Sequence, residues 1–230
     1  MSPKNLYLIA NWKSHKTLDE ATRFFDSLQN LELNPQVKNI IAPPAPYLQS
    51  LLVQVTDSNV PIILAAQSIS PFPFGAYTGE VSAAMVKDWA HYVIVGHSER
   101  RKYFHESYQD VANKIAQILE HNLTPILCVD EPYMHAQFDA LGPENIPQLI
   151  VAYEPLTAIG SGDPDTPEHA AKIATQIKEI ANANLPVLYG GSVTADNVHT
   201  FTSLPEINGA LVGGASLDPE SWQDLINAAA

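Results

Sequence analysis

The stretch NLYLIANWKSHK, residues 5–16, decides the fold. A mainly apolar run without strict alternation reaches a polar end, the pattern of a strand buried on both faces. In an open doubly wound sheet the turn after such a first strand carries a GxGxxG fingerprint, and NWKSHK stands there instead. Working outward, comparable runs recur as VKNIIA (37–42), PIILAA (61–66), HYVIV (91–95), TPILCV (124–129), QLIVAY (148–153), PVLY (186–189) and INGALV (207–212). Between them lie stretches with apolar residues at helical spacing, among them residues 18–30, 107–122 and 167–184. Strands that alternate with helices pair in parallel, because a parallel neighbour needs a connection long enough for a helix. Eight such units at about 29 residues each predict an α/β chain closed into a (β/α)8 barrel, one domain over residues 1–230. EPYMHAQFDALGPENIP (131–147) holds three prolines and a glycine, so the fifth crossover helix is expected to be short or irregular.

Composition narrows the partners. Hydrophobic residues make up 46% of the 230 and charged ones 16%, which fits a packed chain and excludes a charge-solvated one. Twelve Lys and Arg against 25 Asp and Glu give 12 − 25 = −13, a balance that repels nucleic-acid backbones and anionic membranes. The single cysteine, Cys128, forms no internal disulfide and no thiolate cluster, and the apolar run before Asn11 is too short for a signal core or a span. A cytoplasmic location is the expectation.

The residues just past the strands carry the chemistry. Asn11 and Lys13 come after the first strand, Gln67 after the third, His97 after the fourth and Glu154 after the sixth. Gly190, Gly191 and Ser192 follow the seventh, and Gly213 and Gly214 the eighth. In a barrel those ends converge on one rim, so residues remote in sequence reach one small ligand. Glu154 precedes Pro155, which keeps the backbone extended, and is the candidate base. His97, in VGHSERR, sits between a strand and a short helix. The other seven histidines, His15, His91, His105, His121, His135, His169 and His199, read as satisfied structural groups. The paired glycine loops, read as leading into helices, present backbone N–H groups suited to a phosphate dianion. AIGSGDPDT (158–166) reads as a lid over that phosphate.

Six motifs then converge: NWK (11–13), AAQ with GAYTGEVSAAM (65–67, 75–85), VGHSERR (95–101), AYEPLTAIGSG (152–162), YGGSV (189–193) and LVGGASL (211–217). In that order and on those strands the chain resembles the triose-phosphate isomerase family over nearly its whole length. The resemblance implies a TIM barrel that interconverts dihydroxyacetone phosphate and glyceraldehyde 3-phosphate through an enediol or enediolate, with no cofactor and no metal. It implies Glu154 as the base, His97 as a neutral donor to the carbonyl oxygen, and Lys13 and Asn11 as groups that hold the substrate. The resemblance likewise implies a histidine kept neutral at a helix N-terminus, as in the family. Phosphate contacts are implied for Gly160, Ser161, Ser192, Gly213 and Gly214, with Ser98 and Glu99 in support.

The chain departs from the family's pattern in its hinges. Thr157 stands where a tryptophan is usual, Asp163-Pro164-Asp165 forms the second hinge, Asp130 replaces a glycine, and the segment between Cys128 and Glu154 is short. The resemblance also implies a homodimer through loop 67–80, with Phe72, Phe74, Tyr77 and Thr78 at its tip, and a tetramer in reserve. The sequence also admits two other functions: a non-catalytic phosphate-binding barrel, and an isomerase or metal-dependent epimerase of another sugar phosphate. The first sits poorly with both Glu154 and His97 present. The second needs rim His and Asp ligands beyond the one histidine.

Overall fold

Alternate residues of each strand go to two different cores, which is why the apolar runs show no polar face. Tyr7, Ile9, Ile40, Ala65, Ile94, Ile126, Cys128, Ile150, Ala152, Leu188 and Leu211 form a cluster inside the sheet. Their neighbours, among them Leu8, Ile41, Leu64, Val95, Leu127, Val151 and Val212, pack outward under the helices. The computed structural model describes residues 5–29, 34–58, 60–158, 160 and 162–229. The strands are β1 (Leu6–Asn11), β2 (Val37–Ala42), β3 (Ile62–Ala66), β4 (Tyr92–Val95), β5 (Thr124–Val129), β6 (Ile150–Tyr153), β7 (Val187–Tyr189) and β8 (Gly209–Val212). All pair in parallel with their sequence neighbours, and β8 returns to β1 with Tyr7 opposite Gly209, closing the barrel.

The helices around it are α1 (Leu18–Leu28), α2 (Leu48–Ser58), α3 (Ala83–Val86), α4 (Ser98–Phe104), α5 (Tyr108–Glu120), α6 (Glu131–Asp139), α7 (Pro167–Ala181), α8 (Val198–Thr202) and α9 (Pro219–Ala228). Short polar signals start them. Thr17 with Glu20 and Ser107 with Asp110 form capping boxes at α1 and α5, each satisfying backbone N–H groups that the first turn leaves open. The fifth crossover is short as expected: α6 has nine residues against 13 in α5 and 15 in α7. Trp12 locks the seam. Fully buried, it lies edge-on to Phe24 at 4.9 Å and donates its indole N–H to the Ser216 carbonyl at 3.2 Å, joining the end of β1 to the chain after β8.

Candidate active site

The two-residue period that fills the barrel also aims the site. In β1, Tyr7 and Ile9 face inward, so Asn11 continues the same parity at the carboxyl rim. Ile150 and Ala152 do the same for Glu154 in β6, and Leu188 and Leu211 for Gly190 and Gly213. Glu154 is clamped by its backbone, donating its N–H to the Val129 carbonyl at 2.8 Å on one side, while Gly190 donates to the Tyr153 carbonyl at 2.7 Å on the other. Gly190 keeps this approach uncrowded: a Cβ would stand 3.2 Å from Glu154 Cγ and 3.0 Å from the Tyr153 oxygen.

His97 is turned in by its neighbour. Gly96 has φ +68, a left-handed conformation that redirects the chain from β4 into α4. His97 caps α4: its Nδ1 accepts from the Glu99 N–H at 3.2 Å. An accepting Nδ1 carries no proton, so the imidazole is neutral with its proton on Nε2. That nitrogen lies 3.2 Å from Glu154 Oε1, and Glu154 Oε2 accepts from the Ser98 N–H at 2.9 Å. Both side chains are buried, Glu154 at 1% exposure and His97 at 7%. Beneath the pair lies Cys128, whose thiol is pushed well up by burial and then by the Glu154 carboxylate.

Lys13 lines the same cavity in a left-handed conformation, φ 53, that its neighbours hold in place. Its N–H donates to Asn11 Oδ1 at 3.1 Å, and its carbonyl accepts from Gln67 Nε2 at 2.7 Å. Gln67 also donates to the Ala42 carbonyl at 2.8 Å, so one side chain fixes the lysine's backbone to β2. Lys13 Nζ meets Glu99 Oε1 at 2.7 Å. Sequence reading places Gln67 at the rim without a role. It misses Arg101 altogether, although the second arginine of VGHSERR bonds the Gly96 and Cys128 carbonyls and pairs with Asp130. Asp130 in turn caps α6, accepting from the Tyr133 N–H at 2.9 Å, so the residue that replaces a glycine joins two rim loops.

One cavity of about 220 Å³ gathers Asn11, Lys13, His97, Glu154, Gly160, Ser192, Gly213 and Gly214 on its wall. Ser161 lies outside the described residues. The glycine loops do not lead directly into helices, contrary to expectation. Residues 190–192 open no helix, since α8 begins only at Val198, and Gly213 leads into a short 3-10 turn, Gly214–Ser216, ahead of α9. Close approach accounts for Gly190 and Gly191, where an added Cβ would crowd Glu154 and the Tyr189 hydroxyl, whereas at Gly213 it would meet nothing nearer than Lys13 Cε at 3.6 Å and at Gly214 nothing within 4 Å. Among the described residues no group of three or more His, Cys, Asp or Glu is placed to hold a metal ion.

A parallel (β/α)8 barrel whose carboxyl rim holds a carboxylate against a neutral imidazole, with a lysine lining the same cavity, defines a barrel enzyme built for proton transfer on a small ligand. The comparisons narrow this class. The family model described as "Triosephosphate isomerase" matches residues 6–229, and the chain belongs to that family. It is 40% identical to the triosephosphate isomerase of Symbiobacterium thermophilum, over 96% of this chain and 95% of that protein. It is 37% identical to those of Mycoplasmopsis agalactiae (97% and 96%) and Synechococcus sp. (96% and 96%).

Proposed function

We propose that the site interconverts dihydroxyacetone phosphate and D-glyceraldehyde 3-phosphate by proton transfer through an enediol or enediolate. The observation that carries this is the contact between His97 Nε2 and Glu154 Oε1, 3.2 Å, on the wall of a cavity that also holds Lys13. Removing a proton beside a carbonyl needs a carboxylate held against carbon and a donor aimed at the oxygen. Glu154 is the base and His97 the donor. Glu154 Oε2 accepts from the Ser98 N–H at 2.9 Å, a contact that orients the carboxylate on the cavity wall. Lys13 and Asn11 hold the substrate oxygens. Gly160, Ser161, Ser192, Gly213 and Gly214 take the phosphate, and loop 158–166 covers it.

A net charge of −13 does not oppose an anionic substrate, because the local field of Lys13 and the backbone N–H groups governs the cavity. The reading treats residues 1–230 as one catalytic domain in the cytoplasm. It needs no metal and no cofactor. The test is a coupled assay with D-glyceraldehyde 3-phosphate on protein exhaustively treated with chelator. Turnover unchanged by chelation is expected; no turnover, or turnover restored only by added metal, would sink it.

A homodimer through loop 67–80 belongs to the same proposal. Phe74 is 74% exposed, Phe72 and Tyr77 are exposed and stacked on each other at 4.5 Å, and Thr78 beside them is exposed too. Such a patch favours burial in a second copy. Sedimentation of the wild type is expected to show a dimer, and Phe74→Asp is expected to weaken association by at least tenfold. A wild type that stays monomeric at micromolar concentration would remove the loop from this role. No helix among the described residues is long and apolar enough to cross a membrane.

A further inference from the structure

His169 reads in the sequence as a structural histidine, and the geometry gives it more to do. Loop 158–166 ends at Thr166, the N-cap of α7, and Asp165 stands directly before it. Asp165 is held on several sides. Its N–H donates to the Tyr189 hydroxyl at 2.8 Å, its Oδ2 accepts from the Tyr153 hydroxyl at 3.2 Å, and His169 Nδ1 lies 2.7 Å from that same Oδ2. An ionised carboxylate only accepts, so Nδ1 carries the proton and donates. The other ring nitrogen, Nε2, faces Glu131 Oε1 at 3.5 Å, and the ring stands edge-on to Tyr153 at 6.5 Å. Glu131 is the first residue of α6, and its Oε1 is also 3.4 Å from the Tyr153 hydroxyl.

The cluster therefore joins three elements: the loop's exit, the N-terminus of α6, and the strand residue directly before the catalytic Glu154. Its residues line a cavity of about 310 Å³ together with Leu156 and Thr157, which directly precede the loop. Burial pushes the Tyr189 phenol up to about 12 and raises Tyr153 as well, so both hydroxyls keep their protons across the neutral range.

We infer that His169 is a positioning residue for phosphate capture: by fixing Asp165 against Tyr153 and Glu131, it holds the exit of loop 158–166 in place. This rests on the reading of that loop as the phosphate cover. A loop anchored in advance at one end loses less conformational freedom when it closes on a ligand, and that saving appears as affinity. The bland alternative is that Asp165 and His169, four apart, only stabilise the first turn of α7, which Thr166 already caps through the His169 N–H at 3.2 Å.

The two readings part in kinetics. His169→Ala is expected to raise KM for glyceraldehyde 3-phosphate and the inhibition constant of inorganic phosphate together, each by roughly fivefold, the factor one hydrogen bond supplies. kcat is expected to stay within about twofold. His169→Asn, which puts an amide N–H near the place of Nδ1, is expected to recover most of the loss. Independently of turnover, hydrogen exchange at the Gly162, Asp163 and Asp165 amides is expected to quicken in His169→Ala and not in His169→Asn. Unchanged KM and unchanged exchange, with only a lower melting temperature, would overturn the inference and leave the helix role. Inactive wild-type protein would instead overturn the isomerase reading, and with it the link from His169 to substrate.

Discussion

Glu154→Gln is expected to lower kcat for glyceraldehyde 3-phosphate by about a thousandfold, within the range of 10²–10⁴ that a positioned general base contributes. That factor corresponds to about 4 kcal/mol of transition-state stabilisation. The amide keeps the size of the carboxylate in a site where Glu154 is 1% exposed, so the fold and the proposed phosphate contacts are expected to stay. A second, smaller effect comes from the hydrogen bonds. The carboxylate offers one oxygen to the Ser98 N–H and the other to His97 Nε2. Glutamine has one oxygen for two donors, so one N–H is left facing another at a cost of about 1–3 kcal/mol in stability. The melting temperature is therefore expected to fall by a few degrees while the circular dichroism spectrum and the inhibition constant of inorganic phosphate hold. A kcat within tenfold of wild type would remove Glu154 as the base. Where the loss of kcat tracks a loss of fold, His97→Gln, which removes the opposite partner, decides: it must also lower kcat.

The barrel and much of the site are legible in the sequence for one shared reason. Strand residues alternate between two buried cores, so the runs are apolar throughout, and the first polar residue past each run marks the carboxyl rim. Asn11, Glu154 and the paired glycines can be found by that rule, and the two-residue parity shows which of them point inward. His97 is not reached by parity, because Gly96 at φ +68 breaks the register; only the VGHSERR motif singles it out. The supporting contacts are less visible still. Gln67 holds Lys13 from 54 residues away and Arg101 holds Asp130 from 29, and no local pattern records either pairing. His169 has the spacing of a helix-surface residue, and its partners Glu131 and Tyr153 meet it only because α6 and α7 pack side by side on the barrel. The missing helix after Gly190 to Ser192 shows the opposite error: glycines suited to a helix start suggest one, whereas close backbone approach to Glu154 accounts for Gly190 without it.

The largest expected loss of stability lies outside the rim, at Glu106. Lys114 has 2% of its side chain exposed, and its ammonium pairs with Glu106, itself 7% exposed, and donates to Ser68 Oγ at 2.9 Å. Arg100 shares the same carboxylate oxygen. Glu106→Leu leaves a buried ammonium with one hydroxyl for company, and removing one member of such a pair costs about 3–5 kcal/mol. The double variant Glu106→Leu with Lys114→Met is expected to recover most of it, because two well-packed apolar groups avoid the desolvation that the single variant exposes. The sign of the pH dependence is set by Lys114. Burial lowers its pKa below 10.5 and Glu106 opposes that, so without Glu106 the folded-state pKa falls further. The unfolded lysine then binds a proton more tightly than the folded one, and stability rises with pH between the two values. The gap between Glu106→Leu and wild type is therefore expected to be widest at neutral pH and to narrow as the pH climbs toward 10.5. Urea denaturation of the four proteins of the cycle across that range measures it. A single variant as stable as wild type, or a gap that widens with pH, would show that Lys114 does not depend on Glu106. Because Ser68 stands at the root of loop 67–80, the same variant is also expected to loosen that loop.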